Sequence, residues 1–298
     1  MIISRIFGGL GNQLFIYAAL KRLALKNNIE LVLDHVSGFA YDKDFQRHYQ
    51  LDHFNISSRK ATASERLEPF SRIRRYIKRY RNKELSFEKK SYIQQEGTGF
   101  EPKLLNFQPK GKVYIEGYWQ CENHFKDIEP QIREELCIYP PNDPKNLAML
   151  GKIKSKVAVA IHFRFFNNSI IRSNTKIKDS CNTSIDYYKK AIKKMNESFT
   201  NAHYFVFSDQ AKKVANYLNL DQKKMTIVDH NQSDKMAYAD LWLMSNCQHF
   251  IIGKSTFSWW GAWISNNKKK IIIAPKTDEN LLNFRGDKYL FPEKWIKI

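Results

Sequence analysis

The stretch "AIHFRFF" places His162 and Arg164 two residues apart in an apolar run. In a strand they share one face as the run ends. An arginine there can fork two parallel donors onto a phosphate. A surface arginine beside a satisfied core histidine would produce the same letters. "FVFSDQ" ends a second apolar run at Asp209. That carboxylate could accept from a base or a ribose, or else Ser208 or Asp209 could cap a following helix. "GKSTFSWWGAW" sets Ser255, Thr256 and Ser258 where an apolar run turns into a helical one. Hydroxyls and backbone amides at such a turn make a phosphate cradle. Helix capping explains part of this run but not its density. Trp259, Trp260 and Trp263 read as core.

The N-terminal stretch "RIFGGLGNQLFIYAA" is the fourth candidate. Gly8, Gly9 and Gly11 allow a tight turn and close approach to the main chain. Helical spacing of apolar residues starts near Leu14. Amides at the start of that helix suit an anion or a sugar. A dinucleotide fingerprint would need a third glycine where Leu14 stands, although Asp34 closes the next apolar run where a ribose-binding acid would sit. Asp42-Lys43-Asp44 matches a DxD metal signature, but no strand precedes it.

These positions imply the elements that hold them. Apolar runs alternate with helical patterns through the second half of the chain, which predicts a parallel sheet with ligands at the carboxyl ends of its strands. Ser184 is a candidate N-cap for "IDYYKKAIKKMNE", and "KKIIIAPK" is the last expected strand. Pro140, Pro141 and Pro144 break the chain and suggest domains of 1–140 and 141–298. Residues 70–83, "FSRIRRYIKRYRNK", predict a basic amphipathic helix. Ile73, Tyr76, Ile77 and Tyr80 fall on one face, and Arg72, Arg75, Arg79 and Lys83 project elsewhere. Such a helix either packs on the body as a solvated element or lies on an anionic membrane surface.

Composition narrows the classes. The 298 residues carry 49 Lys and Arg against 30 Asp and Glu, a net charge of +19. That field favours anionic partners without saying which. No apolar run reaches the length of a membrane span. No secretory leader is visible, and Cys121, Cys137, Cys181 and Cys247 show no metal spacing. Together these features point to a cytosolic protein with reduced thiols. Neither a P-loop nor a nucleophile elbow is present. No nucleic-acid module is visible, so no nucleic-acid partner is expected. A nucleotide-diphosphate ligand held without a dedicated metal fits best.

Taken together, "GGLGNQLFIYA", "GYWQCENHF", "IHFRFF", "VFSD" and "DLWLMSNCQHFIIGKSTFSWWGAW" resemble the bacterial α-1,2-fucosyltransferases, glycosyltransferase family 11. The resemblance covers nearly the whole chain, and its last motif is the most specific. It implies an α/β, GT-B-like fold: two Rossmann-like halves, with the GDP-fucose site in the C-terminal half and the acceptor side in the N-terminal half. It also implies inverting transfer from GDP-β-L-fucose to the 2-hydroxyl of a terminal β-galactoside in a cell-surface glycan of O-antigen or capsule type. That acceptor could be lipid-linked, and no cofactor or metal would be needed.

Carried across by position, Arg164 would hold the pyrophosphate, with His162 beside it. Asp209 would hold the nucleoside, and Ser255 and Thr256 the phosphate. Phe257 and Gly11 would also line the donor, Asn12 would lie next to the reacting centre, and Tyr118 and Gln120 would face the acceptor. One departure stands out. The family's usual pattern after the histidine, x-Arg-Arg-x-Asp, reads Phe163-Arg164-Phe165-Phe166-Asn167 here, so either the second arginine is dispensable or another cation such as Arg172 substitutes. The altered motif keeps a second class open, a catalytically impaired protein that binds a glycan or a nucleotide sugar.

Overall fold

The computed structural model describes residues 1–97, 99–164, 183–218, 220–276 and 290–298. The chain divides into two compact units, one of Met1–Tyr139 with Thr277–Pro292, the other of Pro140–Lys276 with Glu293–Ile298.

The first unit is built on strands β1 (Ile2–Arg5), β2 (Leu31–Asp34), β3 (Arg59–Lys60), β4 (Tyr92–Gln94) and β5 (Val113–Glu116). They form one parallel sheet in the order β3-β2-β1-β5-β4. Ile2, Ile3, Val32, Leu33 and Ile115 are each at most 1% exposed, as strands covered on both faces require. Helix α1 (Leu10–Lys26) is buried nearly all round, and even Lys21 and Arg22 are 9% exposed. Lys21 pairs with Glu135 of α4 (Glu129–Glu135) at 2.8 Å, and Tyr17 donates to the same carboxylate. Helices α2 (Ser71–Asn82) and α3 (Pro102–Asn106) complete the unit.

The second unit begins with α5 (Pro144–Lys154) and then alternates. Its elements are β6 (Val157–Phe163), α6 (Ile185–Ser198), β7 (Ala202–Ser208), α7 (Ala211–Leu218), β8 (Met225–Val228), α8 (Ala237–Ser245), β9 (His249–Ile251), α9 (Thr256–Ile264), β10 (Ile272–Ala274) and β11 (Ile296–Lys297). The sheet is parallel, in the order β11-β10-β9-β6-β7-β8. Its core joins Val159, Ile161 and Phe163 to Tyr188, Ala191 and Met195 of α6. Ser184 caps α6 by accepting from Tyr187 N at 3.2 Å, as its position predicts.

Both strand orders reverse at an interior pair. In the first unit the chain builds outward from β1 on one side and places β4 and β5 on the other, so the switch lies between β1 and β5. In the second it lies between β6 and β9. Successive connections leave such a point in opposite directions and open a crevice at the carboxyl ends of the two strands.

Three expectations need correction. Helix α1 starts at Leu10 rather than near Leu14, so Gly11, Asn12 and Gln13 belong to its first turn. The sequence placed its last strand at β10, but β11 follows. Helix α2 forms where expected and turns the other way: Ile73, Tyr76 and Tyr80 are 58%, 66% and 72% exposed, while Arg75 and Asn82 are buried. The cause is the surface beneath it. Ser91 N and Tyr92 N donate to Asn82 Oδ1, and Arg79 donates to Glu116 Oε1 at 3.0 Å, so polar partners draw the polar face inward.

Candidate functional site

The second unit sets its predicted residues just beyond the carboxyl ends of three adjacent strands, β7, β6 and β9. Phe163 pairs with Ser208, so Arg164 and Asp209 are the first residues beyond two paired strand ends. His162, one position back, is buried, and its ring centroid lies 5.4 Å from that of Phe257. Burial, and then the nearby Arg164 charge, push the His162 pKa down to about 3, so the imidazole is neutral at physiological pH. Its Nδ1 has no hydrogen-bond partner. Ser255 is the N-cap residue of α9, yet its hydroxyl makes no capping bond and its buried Oγ is likewise unpartnered. Two buried polar atoms therefore stand unsatisfied at the ends of neighbouring strands, with a guanidinium beside the first. Buried polar atoms are usually paired, and of the nine unpartnered ones among the described residues these two fall at this edge of the sheet.

Gln210 N donates to Ser208 Oγ at 3.1 Å, a turn ahead of α7, and Asp209 is exposed. Thr256 opens α9. Ser258 leaves the cradle: its hydroxyl donates to Ser255 O, and the residue is fully buried. Trp259, Trp260 and Trp263 are core, at most 1% exposed and packed on one another.

The carboxyl end of this sheet is clamped by residues the sequence did not reveal. Tyr188 donates to His162 O at 2.8 Å, and Tyr187 donates to Ile252 O and Ile273 O. Lys254 N donates to Thr183 Oγ1. A Cβ at Gly253 would stand 2.6 Å from Tyr188 Oη, so a side chain there would force Tyr188 or the strand end to shift. Asp240, in the first turn of α8, accepts from Asn231 Nδ2 at 2.8 Å, and burial pushes its carboxyl up to about 7. An acid after a predicted helix start gave no sign of that burial.

In the first unit Asn12, Gly11, Tyr118 and Gln120 come together at the switch between β1 and β5. Gly8 turns at φ +77°, where a Cβ would meet Asn12 Nδ2 at 2.9 Å and Tyr118 at 3.3 Å. Gln120 donates to Asn12 Oδ1 at 2.8 Å. Gln13 donates to Gly8 O and His48 O and accepts from Gln50 N, so the second carboxamide holds the turn in place. Gln95 Oε1 accepts from Tyr118 N and Trp119 N, and Trp119 adopts a left-handed φ of 52°. Such a conformation persists only where its surroundings impose it. Arg47 approaches the same turn: a Cβ at Gly9 would stand 3.7 Å from its guanidinium carbon.

Two other candidate carboxylates have partners within the protein. Asp34 is fully buried and accepts from Tyr114 Oη, Ser37 Oγ, Ser37 N and Val36 N, so its carboxylate is occupied by protein and the dinucleotide reading loses its ribose acid. Asp42 accepts from Phe45 N and Arg47 N and shapes its own turn. Among the described residues no three His, Cys, Asp or Glu side chains converge as a metal ligand set, and no helix is long and apolar enough to cross a membrane. Phe165, Phe166, Asn167, Arg172 and Cys181 lie outside the described residues.

Comparison with known proteins bears on the family and the fold. A family model described as Glycosyl transferase family 11 matches residues 2–298. The chain is 31% identical over 309 residues to the alpha-1,2-colitosyltransferase of Escherichia coli, spanning 100% of this chain and 99% of that one. It is 30% identical over 296 residues to the O-antigen biosynthesis glycosyltransferase WbnK of Escherichia coli, spanning 92% and 93%. Among solved structures, the alpha-1,6-fucosyltransferase NodZ from Bradyrhizobium, co-crystallised with GDP, aligns with a TM-score of 0.53 and 14% identity. That alignment covers 88% of this chain and 91% of that one.

Proposed function

The chain belongs to Glycosyl transferase family 11 and is a glycosyltransferase of GT-B-like fold, and from that premise we propose that it transfers L-fucose from GDP-β-L-fucose to the 2-hydroxyl of a terminal β-galactoside. The acceptor is a cell-surface glycan of the O-antigen class, which the name of the relative WbnK favours. One observation carries the donor assignment: unpartnered His162 Nδ1 and Ser255 Oγ at the switch point, beside the cationic Arg164.

A diphosphate brings acceptor oxygens to that place. Arg164 meets the charge that builds on the leaving phosphate as the bond from C1 of the sugar to GDP breaks. Ser255 and Thr256 donate to phosphate oxygens at the start of α9, where the helix dipole also favours an anion. His162 stays neutral, so it takes part as a hydrogen-bonding group rather than as a cation. Asp209 accepts from the nucleoside. The acceptor hydroxyl attacks from the face opposite to GDP, which inverts the configuration at C1. On the first unit Asn12, whose Oδ1 accepts from Gln120, is the uncharged polar contact for the acceptor. Cationic side chains carry the diphosphate charge, so no metal is required.

The relative named for colitosyl transfer favours one second reading, in which the donor sugar is colitose, the 3-deoxy analogue of fucose. Incubation with GDP-fucose or GDP-colitose and a panel of β-galactosides, followed by linkage analysis, separates the two. An α-1,2-fucosyl product is expected. Exclusive use of GDP-colitose would move the assignment to the second reading, and nucleotide-sugar binding without turnover on any acceptor would overturn both.

A further inference from the structure

Helix α2 takes no part in the chemistry above, and its exposed face is unusual. Eight of the twelve exposed large hydrophobic side chains among the described residues fall within 41–85. Ile73, Tyr76, Ile77 and Tyr80 follow i, i+3, i+4, i+7 spacing and form one outward stripe. Arg72 flanks it on one side, Arg74 and Arg81 on the other, and all three are exposed. The helix carries six basic residues and no acid. It is held from behind through Asn82 and the bond from Arg79 to Glu116, with Arg75 buried beneath it. The patch extends onto the neighbouring loop, where the Arg72 guanidinium sits 5.9 Å from the Tyr41 ring centroid.

We propose that this face of α2 docks on an anionic lipid bilayer. Charge decides the occupant. A second copy of the chain would set one arginine-flanked stripe against another, with no acid on the helix to offset the repulsion. A bilayer with anionic headgroups supplies phosphate to Arg72, Arg74 and Arg81 and, a few ångströms deeper, hydrocarbon for Ile73 and Ile77. Tyrosines suit the boundary between the two, because the ring is apolar and the hydroxyl polar. The arginines can extend their stems along the apolar stripe and keep their heads among phosphates. A nucleic acid would satisfy the charge but would leave the isoleucines facing water. Glu116, the anchor of Arg79, is the last residue of β5 and also pairs with Arg5 at the end of β1 at 3.4 Å. The docking face is therefore tied to the strand ends that carry Asn12, Tyr118 and Gln120, where a lipid-linked acceptor would be presented.

The test does not depend on the transfer reaction. The full chain is sedimented with vesicles of phosphatidylglycerol and phosphatidylcholine, and with phosphatidylcholine alone, at low and high salt. Binding is expected only to the anionic vesicles and is expected to weaken with salt. The variant Arg72→Gln/Arg74→Gln/Arg81→Gln should lose about fivefold in affinity per charge. The variant Ile73→Ser/Tyr76→Ser/Tyr80→Ser keeps every charge and should still lose about tenfold or more through lost apolar burial. Both sets lie on the solvent side, and circular dichroism checks that the fold is kept. Tyr76→Trp adds an exposed fluorophore whose emission should shift to the blue and be quenched by brominated lipid. Equal sedimentation with neutral and anionic vesicles overturns the proposal. So does an apolar variant that binds like the parent while the introduced indole of Tyr76→Trp stays unquenched, which would mean charge adhesion without insertion. Displacement from vesicles by DNA at equal phosphate concentration would also overturn it, in favour of a general polyanion face.

Discussion

The side-chain amide of Gln120 donates to Asn12 Oδ1 across 2.8 Å, joining the loop after β5 to the first turn of α1. An amide has a donor end and an acceptor end, and this bond fixes which end of Asn12 points where. Asn12 and Gln120 should therefore behave as one unit. Asn12→Ala should lower kcat strongly. Gln120→Ala should lower it less, because Gln120 acts through its neighbour. The double variant should show a coupling energy of about 0.5–3 kcal/mol. Initial rates of the four proteins measure it, and strict additivity would mean that the bond has no catalytic consequence.

Arg164→Ala should lose about 10²–10³ in turnover, the usual cost of removing a preorganised donor set from a developing anion. GDP affinity should also weaken. Arg164→Lys should recover little, since an ammonium cannot fork onto two oxygens. Initial rates and GDP titration report both effects.

Transfer should continue in excess EDTA, with cationic side chains stabilising the diphosphate. Loss of activity on chelation, restored by Mn²⁺ or Mg²⁺, would return attention to Asp42 and Asp44.

Two titrating groups of the second unit should oppose one another in acid. The His162 pKa is lowered from 6.5 to about 3. Between those values the unfolded chain binds the extra proton, so this group costs stability as pH falls from about 6.5 towards 3. The Asp240 pKa is raised from 3.8 to about 7. Here the folded chain binds the extra proton, so this group adds stability as pH falls from about 7 towards 4. Each contributes a limiting slope of about 1.4 kcal/mol per pH unit. Asp240→Asn should therefore make the unit more acid-sensitive, and His162→Gln less so. Urea unfolding at pH 5 and pH 7 tests the pair of signs.

Gly253→Ala should displace the end of β9, because the new Cβ falls 2.6 Å from Tyr188 Oη and 3.0 Å from Thr183 Oγ1. GDP affinity should drop. Adding Tyr188→Phe removes the closer of those atoms and should return part of the affinity, although His162 O then loses its donor. A double variant no better than the single would locate the strain elsewhere.

Much of the site was legible because its residues mark boundaries. Arg164, Asp209 and Ser255 each follow an apolar run, and a parallel sheet sends the carboxyl ends of its strands to one edge. The clamps were not legible. Tyr188 meets His162 O from 26 positions away, and Gln95 holds Tyr118 N from 23 positions away. A tyrosine on a helix and a glutamine after a strand look the same whether or not such a partner exists. The pattern of α2 separated its two faces correctly but could not say which one meets the protein. That depended on Glu116 and on the main-chain amides of Ser91 and Tyr92, supplied by other elements. Strand β11 is two residues long, too short to show any period.

That short strand bears on how the chain folds as it is made. β10 lies exposed along one side until Ile296 and Lys297 pair with it, and Trp295 must arrive to pack on Trp259 at 5.4 Å. During synthesis the second sheet thus carries an open edge from the moment β10 emerges until the residues near 296 follow. An unpaired edge is a template for other chains. Its lifetime is set by how soon residues 295–298 dock rather than by the stability of the finished fold. Weakening that docking, as in Trp295→Ala, should raise the aggregated fraction of newly made protein.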